Sequence, residues 1–369
     1  MCMRMNLLEN GMAKVVLHVG MPKCASSSIQ AHFADHYQAY CGQGLLYPKT
    51  GRETKGYRSH RPLHHASAEE HPELLDQIAD EAREQRCRSI LLSSEELANS
   101  RIQKSDTQAL IRSLQNQFGS ENVEILFLIR DHLSFIRSSF AQYLKGGLFR
   151  VSDADFFARD VPSIRTYADC FFEKNKFEVF SFSAFFQQFQ AIANGARINL
   201  MSIKEPNKGP LLKRVCELFD APFVGEDTRQ NERFSQHQLF CLLHARKKYG
   251  LEKTKAKRRF LTKGMIADPD FHSSLFDVDA SLAERLTQTA MQDLNYFKPF
   301  SDVHIATEFS ADAKPACEKD SIEAPENLLR FIDRIMEIEY LKMPRAKRVG
   351  KRFMSVKKAQ HKSHFPAGS

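Results

Sequence analysis

Lys14-Val-Val-Leu-His-Val-Gly-Met-Pro-Lys-Cys-Ala-Ser-Ser-Ser-Ile-Gln30 is the stretch on which the fold turns. Val15, Val16, Leu17 and Val19 form a short, uncharged run rich in β-branched residues, the composition of a strand buried on both faces of a parallel sheet. Gly20 and Pro22 stop it. Lys23 follows, then the small residues Cys24 to Ser28. Ser26, Ser27 and Ser28 can cap a helix whose apolar face starts at Ile29 and Phe33. A strand, a turn of small residues and a helix N-terminus beside a lysine make an anion cradle. Backbone N–H groups point at the anion, the helix dipole favours it, and the ammonium adds a full charge. An ordinary strand-to-helix turn with a solvated lysine has the same composition, so the turn alone does not choose an anion.

Working outward, two more apolar runs read as buried strands, Ser89–Ser94 and Val123–Ile129, with Phe177–Phe182 and Arg197–Ile203 as further strands. Helical patterns separate them: Ser26 to about Ala39, Pro72–Arg86, Asp106–Phe118, Ser134–Lys145 stopped by Gly146-Gly147, Pro162–Lys174, a Phe-rich helix through Ile192, and Leu211–Phe219. Gly42, Gly44 and Pro48 mark a loop, and Lys49 to Glu70, with His60, His64 and His65, reads as a long surface connection near a site. Alternating strands and helices predict an α/β fold: three-layer α/β/α with a central parallel sheet, plus C-terminal helices. The expected organisation is an N-terminal extension over 1–13 and a principal domain over 14–300, completed by a helical cap at about 231–300. A C-terminal helical segment over 301–344 contains an amphipathic helix, Pro325–Met343. A basic tail over 345–369 has too few apolar residues to pack.

The 369 residues, 42% of them hydrophobic, suffice for one large domain with appendages, and 29 Phe replace the missing Trp as aromatic core mass. The net charge of +8 fits an anionic ligand without choosing among nucleic acid, glycan and nucleotide. Eight cysteines, at 2, 24, 41, 87, 170, 216, 241 and 317, stand singly, with no CxxC pair to hold zinc or run redox chemistry. That usage, without a leader-like or membrane-spanning apolar run, predicts a cytoplasmic protein.

Ligands of open α/β sheets bind beyond the C-terminal ends of the strands. Three such ends are polar here: Gly20–Ser28, Ser93–Glu96 and Arg130–Ser139. Arg130 can grip a phosphate with two N–H groups and Ser138, eight residues on, can add a hydroxyl. With the cradle at the first strand, this allows two separate phosphate sites. The first loop is not that of the nucleotide triphosphatases, which requires Gly, four residues and Gly-Lys-Ser/Thr, and GxGxxG is absent.

Pro22-Lys23-Cys-Ala-Ser-Ser-Ser28 resembles the 5′-phosphosulfate loop of sulfotransferases that use PAPS (3′-phosphoadenosine 5′-phosphosulfate). Leu128-Ile129-Arg130 with Ser138 resembles their 3′-phosphate motif. His18-Val-Gly, Ser28-Ile-Gln30, Gly44-Leu-Leu-Tyr-Pro48, Ser93-Ser-Glu-Glu-Leu97 and Asn231-Glu-Arg-Phe-Ser235 look like the bacterial branch of that family. The resemblance spans about residues 14–245. Cys24 and Ala25 stand where the family has Thr or Ser and Gly.

The resemblance implies a P-loop NTPase-like fold and a sulfuryl transfer from PAPS to an acceptor hydroxyl, leaving PAP, without a metal. By the same likeness the loop Lys23, Cys24, Ala25, Ser26, Ser27 and Ser28 would hold the 5′-phosphate, through amides 25–28 and the serine hydroxyls. Lys23 would also stabilise charge developing on the leaving phosphate. Arg130 and Ser138 would bind the 3′-phosphate. Glu95 fills the place of the family's general base, with His64 and His65 as the competing bases. Ser93-x-x-Glu96 also matches a helix capping box, which gives Glu96 a structural reading. His18 reads as a histidine of the core or as a group supporting the site from behind, and Gln142 and Lys145 share a helix with Ser138. Phe260-Leu-Thr-Lys263-Gly264 is similar to a 3′-phosphate segment of the cytosolic branch but lacks its arginine, and Lys257, Arg258 and Arg259 read as a basic face.

The expected partner is a small-molecule or glycan acceptor, a carbohydrate or glycolipid by analogy with the bacterial branch, and not nucleic acid. The basic tail could contact an anionic surface. Two rival readings remain open: a P-loop kinase with a degenerate loop, against which stands the lack of an acidic strand end suited to magnesium, and a non-catalytic anion- or glycan-binding protein on the same fold.

Overall fold

The computed structural model describes residues 13–54, 56, 58–99, 106–146, 149–159, 162–226, 234–268, 271, 278–309 and 325–338. The expected extension (but for residue 13), most of the Asn231–Ser235 motif, Gly147, the end of the Pro325–Met343 helix and the basic tail lie outside them. The protein is α/β, and among the described residues five parallel strands form one sheet. They are β1 (Lys14–Gly20), β2 (Leu45–Leu46), β3 (Ser89–Ser93), β4 (Val123–Ile129) and β5 (Arg197–Ser202), in the order β2-β3-β1-β4-β5. The helices are α1 (Ser26–Asp35), α2 (Tyr37–Cys41), α3 (Arg61–His65), α4 (His71–Glu84), α5 (Thr107–Phe118), α6 (His132–Leu144), α7 (Asp153–Phe157), α8 (Ile164–Asn175), α9 (Phe182–Gln190), α10 (Leu211–Glu217), α11 (Gln236–Ala267), α12 (Ala280–Phe297) and α13 (Glu326–Glu337). Among the described residues no helix is long and apolar enough to cross a membrane.

The residues cluster into two compact units, 1–135 with 180–232 and 288–307, and 136–179 with 233–287 and 308–369. The first holds the sheet. β1, β3 and β4 are its centre, and Val15, Val16, Val19, Ile90 to Leu92 and Ile125 to Ile129 are wholly buried there, as strands covered on both faces must be. The chain leaves β1 for the far edge at β2, then steps back through β3 across β1 to β4. Right-handed crossovers put the β1–β2 connection on one face and the β2–β3 and β3–β4 connections on the other. The packing agrees. On one face Tyr40 of α2 reaches Cys216 of α10 at 3.3 Å, and Lys14 Nζ donates to Leu218 O at 2.9 Å. Elsewhere Gln117 of α5 donates to Asp76 of α4 at 2.8 Å.

Four local expectations give way. The first helix stops at Asp35, where His36 leaves helical φ/ψ (φ −101°, ψ 24°) and its ring Nδ1 lies 3.0 Å from the His32 carbonyl. The loop after it contains the two-residue strand β2, too short to leave a period in the sequence. Phe177–Phe182 is not a strand. Ser181 caps α9, and Phe182, Phe185, Phe186 and Phe189 recur at helical spacing on its buried face, a pattern that outweighs β propensity. Lys49–Glu70 is not a surface loop throughout, since His60 and His64 are buried and α3 lies within it.

In the second unit, α11 starts at a capping box formed by Ser235 and Gln238 and is interrupted by Gly250, whose φ of 76° is not helical. Arg246 is buried. Its guanidinium donates to the Asp153 carboxylate and the Tyr143 carbonyl and lies 4.0 Å over the Tyr143 ring. The expected basic face divides. Arg258 and Arg259 are exposed, but Lys257 is buried and its ammonium donates to the carbonyls of Ile335, Met336 and Ile338 at 3.0, 2.8 and 2.6 Å. It thereby closes the C-terminus of α13, where a helix leaves acceptors unmatched.

Candidate functional site

The turn after β1 follows from Pro22. Cys24 N–H donates to Met21 O at 3.0 Å, closing a four-residue turn with Pro22 second and Lys23 third. Pro22 fixes its own φ, and Lys23 in the third position has a positive φ of 72°, the conformation of a type II turn. Ala25 then stands at the N-cap of α1 in the left-handed region, φ 62° and ψ 14°, without a side-chain cap. The serines are therefore not the cap. They are the first three residues of the helix, Ser26 buried and Ser27 and Ser28 half-buried. The leading N–H groups of a helix have no acceptor within it. That of Ser28 turns back onto Ala25 O at 3.0 Å. Cys24 points into the core, where burial pushes its thiol up to about 12.

β4 ends beside this turn. Arg130 leaves the strand and its Nη1 donates to the Lys23 carbonyl at 2.7 Å, across 107 residues of sequence. Asp131 follows, with Oδ1 accepting from Ser134 N–H at 2.8 Å as the cap of α6. Burial would raise the Asp131 carboxyl, but the Ser134 N–H and hydroxyl, with Arg130 and Lys204, hold it below its ordinary value. His132 Nε2 lies 2.9 Å from Asp293 Oδ2, both side chains wholly buried. Asp293 also accepts from the N–H groups of Phe182 and Ser183 and from the Ser183 hydroxyl, so it caps α9 as well. A lone acidic residue near the end of a helical pattern carries no sequence signal of that role. Ser138 is half-buried on α6 and belongs, with Gln142 and Lys145, to the second unit, where Lys145 lies 4.5 Å over the Phe234 ring. Lys263 is exposed on α11.

The end of β3 is the third component. A Cβ on Gly20 would stand 2.7 Å from Glu95 Cα and 2.9 Å from its carbonyl, so only glycine lets β1 pass so close, and its φ of 82° asks for glycine again. Burial raises the Glu95 carboxyl. Lys23 pulls it back down, Glu96 pushes it up, and the Ser26 hydroxyl and Arg61 lower it. The capping box is absent. Ser93 Oγ instead lies 2.8 Å from His18 Nδ1 and accepts from Gln30 Nε2 at 3.1 Å, and a short 3-10 turn, Leu97–Asn99, follows. His18 is a core histidine, kept neutral by burial with its pKa down to about 3.

The connection carrying the other histidines is pinned to β3. His60 N–H donates to Ser93 O at 2.7 Å, and its Nδ1 accepts from Ser93 N–H at 3.1 Å. Nε2 therefore carries the proton, 3.1 Å from Pro48 O. Glu96 faces this connection: its Oε2 is 3.5 Å from Arg61 Nε, 3.8 Å from His64 Nε2 and 3.6 Å from His65 Nε2. Burial, then His65 and Arg61, push His64 down to about 4.

Within the first unit, then, the turn holding Lys23, the exit of Arg130 and the half-buried Glu95 form one neighbourhood at the C-terminal ends of β1, β3 and β4. Such a place suits a ligand carrying two anionic groups, with a carboxylate beside it able to take a proton. No protein-family model matches the chain, nor does any curated protein or solved structure.

Proposed function

We propose that the chain is a PAPS-dependent sulfotransferase on a P-loop-like α/β fold, moving a sulfuryl group to a hydroxyl of a carbohydrate or glycolipid. One observation carries the reading: the Arg130 guanidinium is hydrogen-bonded to the Lys23 carbonyl. The two motifs that resemble 5′- and 3′-phosphate sites are thus neighbours although far apart in sequence. The strained turn of Lys23 and Ala25 adds to it, since such backbone clusters at ligand sites. In the proposed reaction the amides and hydroxyls at the start of α1 hold the 5′-phosphate, and Arg130 grips the 3′-phosphate. The acceptor oxygen attacks sulfur as the bond from sulfur to the bridging oxygen breaks. Lys23 stabilises charge gathering on the departing phosphate, and Glu95 takes the acceptor proton, giving the sulfate ester and PAP.

Calorimetry with PAP against ADP tests the assignment. PAP should bind more tightly, and Arg130→Ala should remove about 10- to 100-fold of that preference, the worth of hydrogen bonds to a charged group. Equal affinities, or tighter ADP, would overturn it in favour of a kinase-like nucleotide site. With an accepted substrate, Glu95→Gln should lower kcat by about 10²- to 10⁴-fold with PAP affinity retained. Full turnover in that variant would pass the role to His64 or His65.

A further inference from the structure

His64 and His65 lie side by side on α3, and Glu96 follows β3. The Nε2 atoms of the two histidines are 3.8 and 3.6 Å from the same Glu96 oxygen, and one ligand atom from each of the three residues lies within 4.8 Å of the others. Nitrogen and oxygen ligands bound at about 2.0–2.2 Å around a tetrahedral ion stand about 3.3–3.6 Å apart. The two histidine–carboxylate separations therefore need only a small contraction to meet that geometry.

A second observation concerns His64 itself. Its side chain is fully buried, and neither ring nitrogen makes a hydrogen bond. Buried imidazoles ordinarily have partners. Here Nε2 faces the Glu96 oxygen at a separation too long for a hydrogen bond and suited to a shared cation. The third concerns Arg61, whose Nε donates to His65 Nε2 at 3.0 Å and stands 3.5 Å from Glu96. Accepting that bond, His65 Nε2 presents its lone pair to this spot. Arg61 is about half exposed, so it can swing out to water.

We propose that His64, His65 and Glu96 form a site for a divalent transition-metal ion of the Zn²⁺ class, with water as fourth ligand and Arg61 as the cation it displaces. Two imidazoles and one carboxylate are a ligand set for such an ion, and too poor in oxygen for calcium or magnesium. The ion would stitch the connection after β2 to the residues following β3, one residue from Glu95, and would withdraw both histidines from acting as bases. Sulfuryl transfer as proposed above does not use it.

The test uses the full chain, stripped with a chelator and titrated with Co²⁺ and then Zn²⁺. One equivalent of Co²⁺ should give the visible absorption of a four-coordinate nitrogen–oxygen site without a thiolate charge-transfer band, and Zn²⁺ should displace it and raise Tm. His65→Ala and Glu96→Gln should each weaken binding by about a hundredfold or more, and Arg61→Gln should tighten it by about tenfold. His65 and Glu96 are exposed enough for these variants to fold even if His64→Ala does not. Thiolate absorption, affinity indifferent to His65→Ala and Glu96→Gln, or absence of binding in both the native protein and Arg61→Gln would overturn the proposal. Neither readout involves PAP, so its failure and that of the sulfotransferase reading are told apart.

Discussion

Ala25 does the work of a glycine. At φ 62° its Cβ crowds the backbone, a conformation costing about 1–2 kcal/mol for an L-residue. Lys23, two residues earlier, carries similar strain at φ 72°. Glycine in an ordinary position loses stability through unfolded-state entropy, but at Ala25 relief of strain should outweigh that loss. Ala25→Gly should therefore leave the protein as stable or stabilise it by up to about 1 kcal/mol, read as an unchanged or higher midpoint in urea. A loss of more than about 1 kcal/mol would show that the left-handed turn is not strained. Gly20 is the opposite case: close approach to Glu95 and positive φ both demand it, so no side chain can replace it without moving Glu95.

At the scale of elements, the cap of α6 makes a pH prediction. Asp131 is held below its ordinary pKa in the folded chain, so its contribution is present above the unfolded value of about 3.9 and is lost as pH falls through the lower folded value. Asp131→Ala should cost about 1 kcal/mol at neutral pH, and the gap to the native chain should narrow as the medium is acidified below about pH 4. A gap that stays constant to pH 2 would mean that the cap does not depend on charge. Most helices and strands are legible in the sequence because hydrophobic period and local punctuation act over a few residues. β4 coincides with its expected span, and the helix expected from Ser134 begins two residues earlier, at His132. The misread elements are those where a distant partner decides. Ser93 looks like a helix cap, yet its hydroxyl is taken by His18 and Gln30, 75 and 63 residues away. His60 looks solvated and is locked onto β3, and Asp293 reveals nothing until His132 and Ser183 come to it. For the candidate site, Lys23, Arg130 and Glu95 could each be picked out by their strand ends. That Arg130 holds the carbonyl of Lys23 could not.

For the whole molecule, the chain passes between its two compact units several times, so neither is a contiguous piece. The sheet needs β5 from residues 197–202 to pair with β4, and the buried Asp293 to bond His132 and the start of α9. A chain ending at Phe135 should therefore fail to fold, giving poorly dispersed amide resonances and no cooperative thermal transition. A folded fragment would contradict this account of the first unit. The six cysteines among the described residues are all buried and unpaired, and burial raises every one of their thiols above its usual pKa. Alkylating reagents attack the thiolate, so these six should react only when the fold opens around them. Cys24, beside Lys23, then serves as an internal clock. Its labelling rate, followed by mass spectrometry, times the opening of the strand-to-helix turn, and on the nucleotide site proposed above PAP should slow that clock while leaving Cys241 on α11 to keep its own time.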